Sequence, residues 1–242
     1  MATWGPKLGV IVPSWNLVME YELQRMAGSD VSIHSMRIPH TADTEDNVVW
    51  MGTQVPGAAK LLAHAKVDVI CYGCTGGGFI KGPGYDQEIC DEITAATGIP
   101  GTTTIASVTE ALRVLGAKRI SIASPYAEWL NEKLRVFMEQ NGFGVAAIKG
   151  LNTEAHASVP LADIEALVKS VDRPESEAIF VSCTDFRTYE IIESLEQKLG
   201  KPVISSNSAS MWKMLRLLGD TRVVPGAGQL FRESELRLQK AG

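Results

Sequence analysis

Two cysteines stand where chemistry is readily mounted. Each ends a short apolar run and is followed by threonine: Val69-Ile70-Cys71-Tyr72-Gly73-Cys74-Thr75 and Ile179-Phe180-Val181-Ser182-Cys183-Thr184. A thiolate is a strong nucleophile, and free backbone N–H groups at a strand-to-helix turn favour it. Lowered thiol pKa values are therefore expected at Cys74 and Cys183. Cys71, inside the first run, and Cys90, in a helical stretch, read as small buried hydrophobes. Cys71 and Cys74 formally make a CxxC, but a redox pair needs both sulfurs accessible at a helix start, and the first lies in a strand. The histidines His34, His40, His64 and His156 have no zinc-ligand spacing and read as surface or satisfied residues. Gly76-Gly77-Gly78 is not a nucleotide loop, because Phe79 stands where a Walker lysine is required. The run is expected to be a loop that lets N–H groups approach an anion, with Lys81-Gly82-Pro83-Gly84 as a hinge.

Other uncharged polar residues recur at strand ends: Asn16, Tyr126, Asn152 and Asn207. Taken singly an Asn there is often a helix cap, the simpler reading for Asn207. Converging with two Cys-Thr pairs, they would cradle a carboxylate without quenching a thiolate. Two thiols on opposite faces of a carboxylate support two reactions. One thiol can remove an α-proton while the other delivers a proton to the opposite face. Alternatively, a thiolate can add to an activated C=C, allow rotation, and leave. Both pass through an enediolate-like species stabilised by N–H, O–H and amide donors. Neither requires a metal or an organic cofactor.

The elements that must position these groups alternate. Apolar runs at about 8–12, 31–36, 67–72, 119–123, 144–148, 178–182 and 202–205 read as strands. Helical stretches between them include 48–65, 85–97, 105–115, 128–141, 161–171, 189–199 and 209–218. Strands alternating with helices of ten or more residues imply parallel βαβ units. The chain also repeats itself: Gly98-Ile99-Pro100 with Ala111-Leu112-Arg113-Val114-Leu115-Gly116 returns as Gly200-Lys201-Pro202 with Met214-Leu215-Arg216-Leu217-Leu218-Gly219. The expected fold is α/β, with two pseudo-symmetric lobes, each a parallel sheet flanked by helices. Residues 1–112 form the first lobe and 113–219 the second, and the tail 220–242 is expected to cross back or cover an edge. Facing strand ends would then place Cys74 and Cys183 on opposite walls of one cleft.

The 242 residues are 45% hydrophobic, with a net charge of −5. That excludes a disordered tail and gives no broad basic field for nucleic acid. No apolar run reaches the ~18 residues of a membrane span. The N-terminus does not read as a secretory signal, and four cysteines are too few for a disulfide scaffold. A cytoplasmic enzyme acting on a small carboxylate, with no nucleic-acid or membrane partner, is expected.

The ordered set Val12-Pro13-Ser14 with Asn16, Cys74-Thr75-Gly76-Gly77-Gly78-Phe79, Ser124-Pro125-Tyr126, Ser182-Cys183-Thr184 and Pro202-Val203-Ile204-Ser205-Ser206-Asn207 with Trp212 resembles the Asp/Glu racemase superfamily. The resemblance covers nearly the whole chain and is greatest to the maleate cis–trans isomerase and arylmalonate decarboxylase branch. It implies Cys74 as nucleophile and Cys183 as its acid/base partner. Asn16, Thr75, Gly76, Tyr126, Asn152 and Thr184 would hold the substrate carboxylates, and a homo-oligomer, dimer or larger, is expected. The decarboxylases characteristically have Gly at the first cysteine position, so Cys74 favours an isomerase or a racemase. Trp15 stands where maleate isomerases tend to carry a small residue. Asp185 is expected to point outward as a helix-start acid. Pointing inward, it would repel a second carboxylate and suit the ammonium of an amino acid. The readings in order are maleate-type isomerase, amino-acid racemase and malonate decarboxylase, with a cytosolic carboxylate-binding protein as the non-enzyme alternative.

Overall fold

Among the described residues, eight short strands form two separate parallel sheets. The computed structural model describes residues 5–232. The first sheet holds β1 (Lys7–Pro13), β2 (Ser32–Ile38), β3 (Val69–Tyr72) and β4 (Gly101–Thr103). The second holds β5 (Arg119–Ser124), β6 (Gly144–Gly150), β7 (Ala178–Val181) and β8 (Val203–Ser205). Their spatial orders, β2-β1-β3-β4 and β6-β5-β7-β8, are the same, so the sequence repeat is a repeat of topology. β3 and β7 occupy equivalent central places, flanked by β1 and β4 in one sheet and by β5 and β8 in the other. Their four residues each are fully buried, as strands covered by helices on both faces require.

The helices in chain order are α1 (Met19–Ala27), α2 (Glu45–His64), α3 (Thr75–Phe79), α4 (Tyr85–Thr97), α5 (Thr104–Leu115), α6 (Glu128–Gln140), α7 (Leu161–Val171), α8 (Ile192–Leu199) and α9 (Ser206–Leu217). Sequence punctuation sets several ends. The Thr44 hydroxyl caps α2 by accepting the Asn47 amide, and Gly98 and Gly116 close α4 and α5 at positive φ. Three details differ from the sequence reading. The glycine run is the helical turn α3, not an open loop. Gly101–Thr103 is a strand, hidden because three residues carry no periodicity. The stretch 189–199 opens as a 3-10 turn, Tyr189–Ile191, before α8. In addition, α9 starts three residues earlier than expected, because Ser205 and Ser208 form a reciprocal capping box.

The chain passes from one sheet to the other between Thr103 and Arg119, through α5. α5 packs against α9, and α9 also touches α1 and β3, so these helices join the two halves. Glu22 of α1, only 1% exposed, reinforces that junction. Its Oε1 accepts the Thr188 and Tyr189 amides at 2.6 and 2.8 Å, and its Oε2 accepts the Asn207 side-chain amide at 2.8 Å. Burial raises its carboxyl pKa although these donors oppose the shift. Glu22→Ala would leave buried donors unpaired. It should cost about 3 kcal/mol of stability, read as a lowered denaturant midpoint. Beyond α9 the chain returns toward the first sheet's side, where Arg222 makes two bonds to Asp30. It then settles on α8, with the Gln229 amide donating to Glu196. The remainder of the expected tail, 233–242, lies outside the described residues. Among those described, no helix is long and apolar enough to cross a membrane.

Candidate active site

Each key cysteine sits where a central strand ends. Cys74 follows β3 and caps α3, its Sγ accepting the Gly77 amide at 3.3 Å. The glycines here serve close packing. A Cβ on Gly77 would lie 2.3 Å from the buried Tyr72 hydroxyl, one on Gly78 2.7 Å from Ile105, and one on Gly73 2.4 Å from the Met19 sulfur. Gly77→Ala should therefore destabilise the protein by about 2 kcal/mol, seen as a lowered melting temperature, because Tyr72 has no room to retreat. At Gly76, which lines the cavity, a Cβ would meet only Leu130, at 3.9 Å. Thr75 and Gly76 open the α3 turn, where N–H groups have no intrahelical partner and can face an anion.

Cys183 follows β7 with φ of +101°, a region that non-glycine residues rarely enter. Strain of this kind persists only where surroundings enforce it. The Ser206 hydroxyl accepts the Cys183 amide at 3.0 Å, and the Asp185 amide donates to Cys183 Sγ at 3.4 Å. The two Cys-Thr turns are stitched to each other. Thr184 donates to the Gly73 carbonyl at 3.0 Å and accepts from the Asn16 side chain at 3.0 Å. Thr75 shares a 2.9 Å hydrogen bond with Ser206. Thus each threonine reaches the other half of the molecule, and the repeat closes into one site.

A cavity of about 700 Å³ opens between the halves. It is lined by Asn16, Cys74, Thr75, Gly76, Tyr126, Asn152, Cys183, Thr184 and Asp185, so nine of the ten residues singled out from sequence meet there. Asn16 also caps α1, its Oδ1 accepting the Val18 and Met19 amides. Tyr126 is buried and accepts the Ser182 hydroxyl at 3.3 Å. Asn152, at φ of +52°, is exposed at the mouth. Asn207 is the exception. It is fully buried away from the cavity, bonded to Glu22 and to the Thr184 carbonyl, so it supports the Cys183 turn from behind.

Asp185 does not point outward as a helix-start acid of its own segment. It lines the cavity, and its Oδ1 accepts the Leu17 and Val18 amides at 2.6 and 3.2 Å, meeting the start of α1 from across the junction. Burial raises its pKa although these amides oppose the shift. Three cavity residues were missed from sequence. His40 pairs with Asp43 at 3.2 Å and stacks under Trp15 with ring centroids 4.3 Å apart. His156, in the 3-10 turn His156–Ser158, places Nδ1 3.6 Å from Cys183 Sγ. The usable signal for His156 was its place in the same post-β6 loop as Asn152.

The thiols also depart from expectation. Burial pushes Cys74 up to about 11, outweighing the Gly77 amide and the Tyr72 hydroxyl. Burial, with the Asp185 carboxylate adding to it, pushes Cys183 further up. Desolvation opposes the charged form more than a few donors favour it. Both are therefore neutral thiols at pH 7, and either must surrender its proton to a base before acting as a nucleophile. Cys71 and Cys90, each pushed up to about 12 by burial, lie away from the cavity in the packed interior. The arrangement can hold a carboxylate on uncharged donors between two thiols, and among the described residues no lysine or arginine lines it.

Known proteins share this architecture. The Nocardia farcinica maleate isomerase is 29% identical over 241 residues, covering 94% of this chain and 96% of the relative. A Pseudomonas putida maleate isomerase variant solved with maleate superimposes with a TM-score of 0.90 at 26% identity, covering 93% of this chain and 97% of the other. A Nocardia farcinica maleate cis–trans isomerase variant, with cysteine changed to serine and a covalently bound succinylcysteine intermediate, gives 0.89 at 26% identity, covering 94% and 98%. A sequence profile described as arylmalonate decarboxylase matches residues 9–231, spanning both sheets and both Cys-Thr turns. With the repeat, the twin strand orders and the shared cavity already pointing the same way, the chain belongs to the arylmalonate decarboxylase family.

Proposed function

We propose that the protein is a cofactor-independent cis–trans isomerase of a small cis-enedioate, converting maleate to fumarate. The observation that carries this reading is the presence of both thiols, Cys74 and Cys183, on the lining of one cavity. One carboxylate is held by the Thr75 and Gly76 turn with Tyr126, the other by Asn16, Thr184 and Asn152. Cys74 adds to one alkene carbon, and the π electrons move toward the far carboxylate, whose enediolate oxygens take up the charge. N–H, O–H and amide donors aimed at those oxygens lower the barrier. The C–C bond, now single, rotates, and expulsion of Cys74 leaves the trans product. Cys183 manages the proton that Cys74 must shed and regain. The bound succinylcysteine of the Nocardia relative agrees with a covalent route in that protein. The test is proton NMR of maleate with the folded protein. Growth of the fumarate resonance supports the proposal, and an unchanged maleate spectrum refutes it.

A second reading has one specific observation behind it. Asp43 and Asp185 line a cavity that, among the described residues, no lysine or arginine lines, which suits a substrate bearing one carboxylate and an ammonium. An amino-acid racemase of this kind would exchange the α-hydrogen for solvent deuterium, and the same NMR experiment run in deuterium oxide with amino acids distinguishes it.

A further inference from the structure

The proposed reaction needs a base that the two cysteines do not supply, since both are neutral thiols in their buried setting. The cavity contains one. We propose that His156 is the positioning residue for Cys183, taking that thiol's proton on Nδ1 so that Cys183 can accept the proton Cys74 sheds. The inference rests on the reading of Cys183 as the acid/base partner of Cys74.

The geometry is direct. Nδ1 lies 3.6 Å from Cys183 Sγ, within reach of a sulfur hydrogen bond. The Tyr126 ring meets the imidazole edge-on, with centroids 6.1 Å apart, and fixes its tilt. The ring is half-buried on the cavity wall, held in the short turn His156–Ser158. The groups around it come from every neighbouring element. Asp43 and His40 face it from the segment before α2, Asp185 and Cys183 from the loop after β7, and the Thr153 backbone from its own loop. Asp43 and Asp185 favour the imidazolium, while burial and His40 oppose it, and burial dominates. The imidazole is therefore neutral at pH 7 and available as a base, with nearby carboxylates to steady it once protonated.

The proton inventory balances. The Cys183 S–H bond breaks and an N–H bond forms at His156, leaving a thiolate beside an imidazolium. As Cys74 Sγ bonds to the alkene carbon, its S–H breaks and S–H re-forms at Cys183. After rotation and elimination, Cys183 returns that proton to Cys74, and His156 returns its own to Cys183. No oxidant, reductant or other reactant enters.

The test is alkylation of Cys183 by iodoacetamide across pH in a Cys74→Ser background, with the modified peptide quantified by mass spectrometry. His156→Gln and His156→Ala are compared with the parent. The expected result is modification at neutral pH at least about tenfold slower in both variants, as one pKa unit of lost assistance gives. Added imidazole should restore the rate in His156→Ala. In the enzyme with Cys74 intact, the acid limb of kcat/KM, set by an imidazole titrating below its ordinary value, should vanish in His156→Gln. Equal rates and equal pH midpoints in parent and variants would overturn the proposal. Because alkylation needs no substrate, a histidine effect without maleate turnover would refute the isomerase reading alone. Turnover without a histidine effect would refute only this inference.

Discussion

Cys74→Ser is expected to lower kcat/KM for maleate by about 1,000-fold or more, a loss of about 4 kcal/mol of transition-state stabilisation. Cys74 is the atom proposed to bond to the alkene, and a serine hydroxyl at the same place is a far poorer nucleophile. Its proton is also harder to remove in a cavity where burial already pushes the thiol up to about 11. The substitution is nearly isosteric, and the contacts at risk are the Gly77 amide and the Tyr72 hydroxyl on the side-chain atom, both of which a serine hydroxyl can also meet. Stability should change little, so unfolding midpoints beside the kinetics separate a chemical loss from a structural one. KM should hold near its parent value, because the proposed carboxylate cradle of Thr75, Tyr126, Asn16 and Thr184 does not use the thiol.

Cys183→Ala should cost between about 100- and 10,000-fold in kcat, the range of a positioned acid/base group. It removes the group proposed to receive the Cys74 proton and leaves His156 without its thiol partner. The backbone at this residue, at φ of +101°, is held by Ser206 and by the threonine crossing to Gly73, and the substitution removes only the Asp185 amide contact to the sulfur, so the turn should survive. The step affected separates the two enzymatic readings. For an isomerase, expulsion of Cys74 slows more than its addition, because Cys183 must return the proton, and covalent adduct accumulates. For a racemase, exchange at the α-carbon falls in one direction more than the other.

The lobes were legible from periodicity because fully buried strands such as Val69–Tyr72 and Ala178–Val181 read as apolar runs and the helices between them end at glycines. The repeat made the symmetry of the two sheets visible before any coordinates. Elements set by few residues were not legible. β4 has three residues, and α3 is a run of glycines whose helical form comes from the Cys74 cap and from crowding by Tyr72 and Ile105. At the site, the Cys-Thr pairs and most polar strand ends could be chosen because strand ends converge in this topology. Asn207 was misplaced because its spacing cannot show that Glu22, distant in sequence, would claim its side chain. His156 shares the post-β6 loop with Asn152, but that place alone does not show that the fold brings it to Cys183. The direction of the thiol shifts also needed the fold. Backbone donors could be anticipated from the turns, but the depth of burial that outweighs them could not.

The most direct test of the two-thiol account is peptide mapping after Cys183→Ser is incubated with maleate and quenched. The account predicts an added mass equal to one maleic acid molecule, carried by the peptide containing Cys74 and absent when Cys74 is also replaced. An adduct at another cysteine, or unmodified Cys74 in a folded protein at saturating maleate, would contradict it.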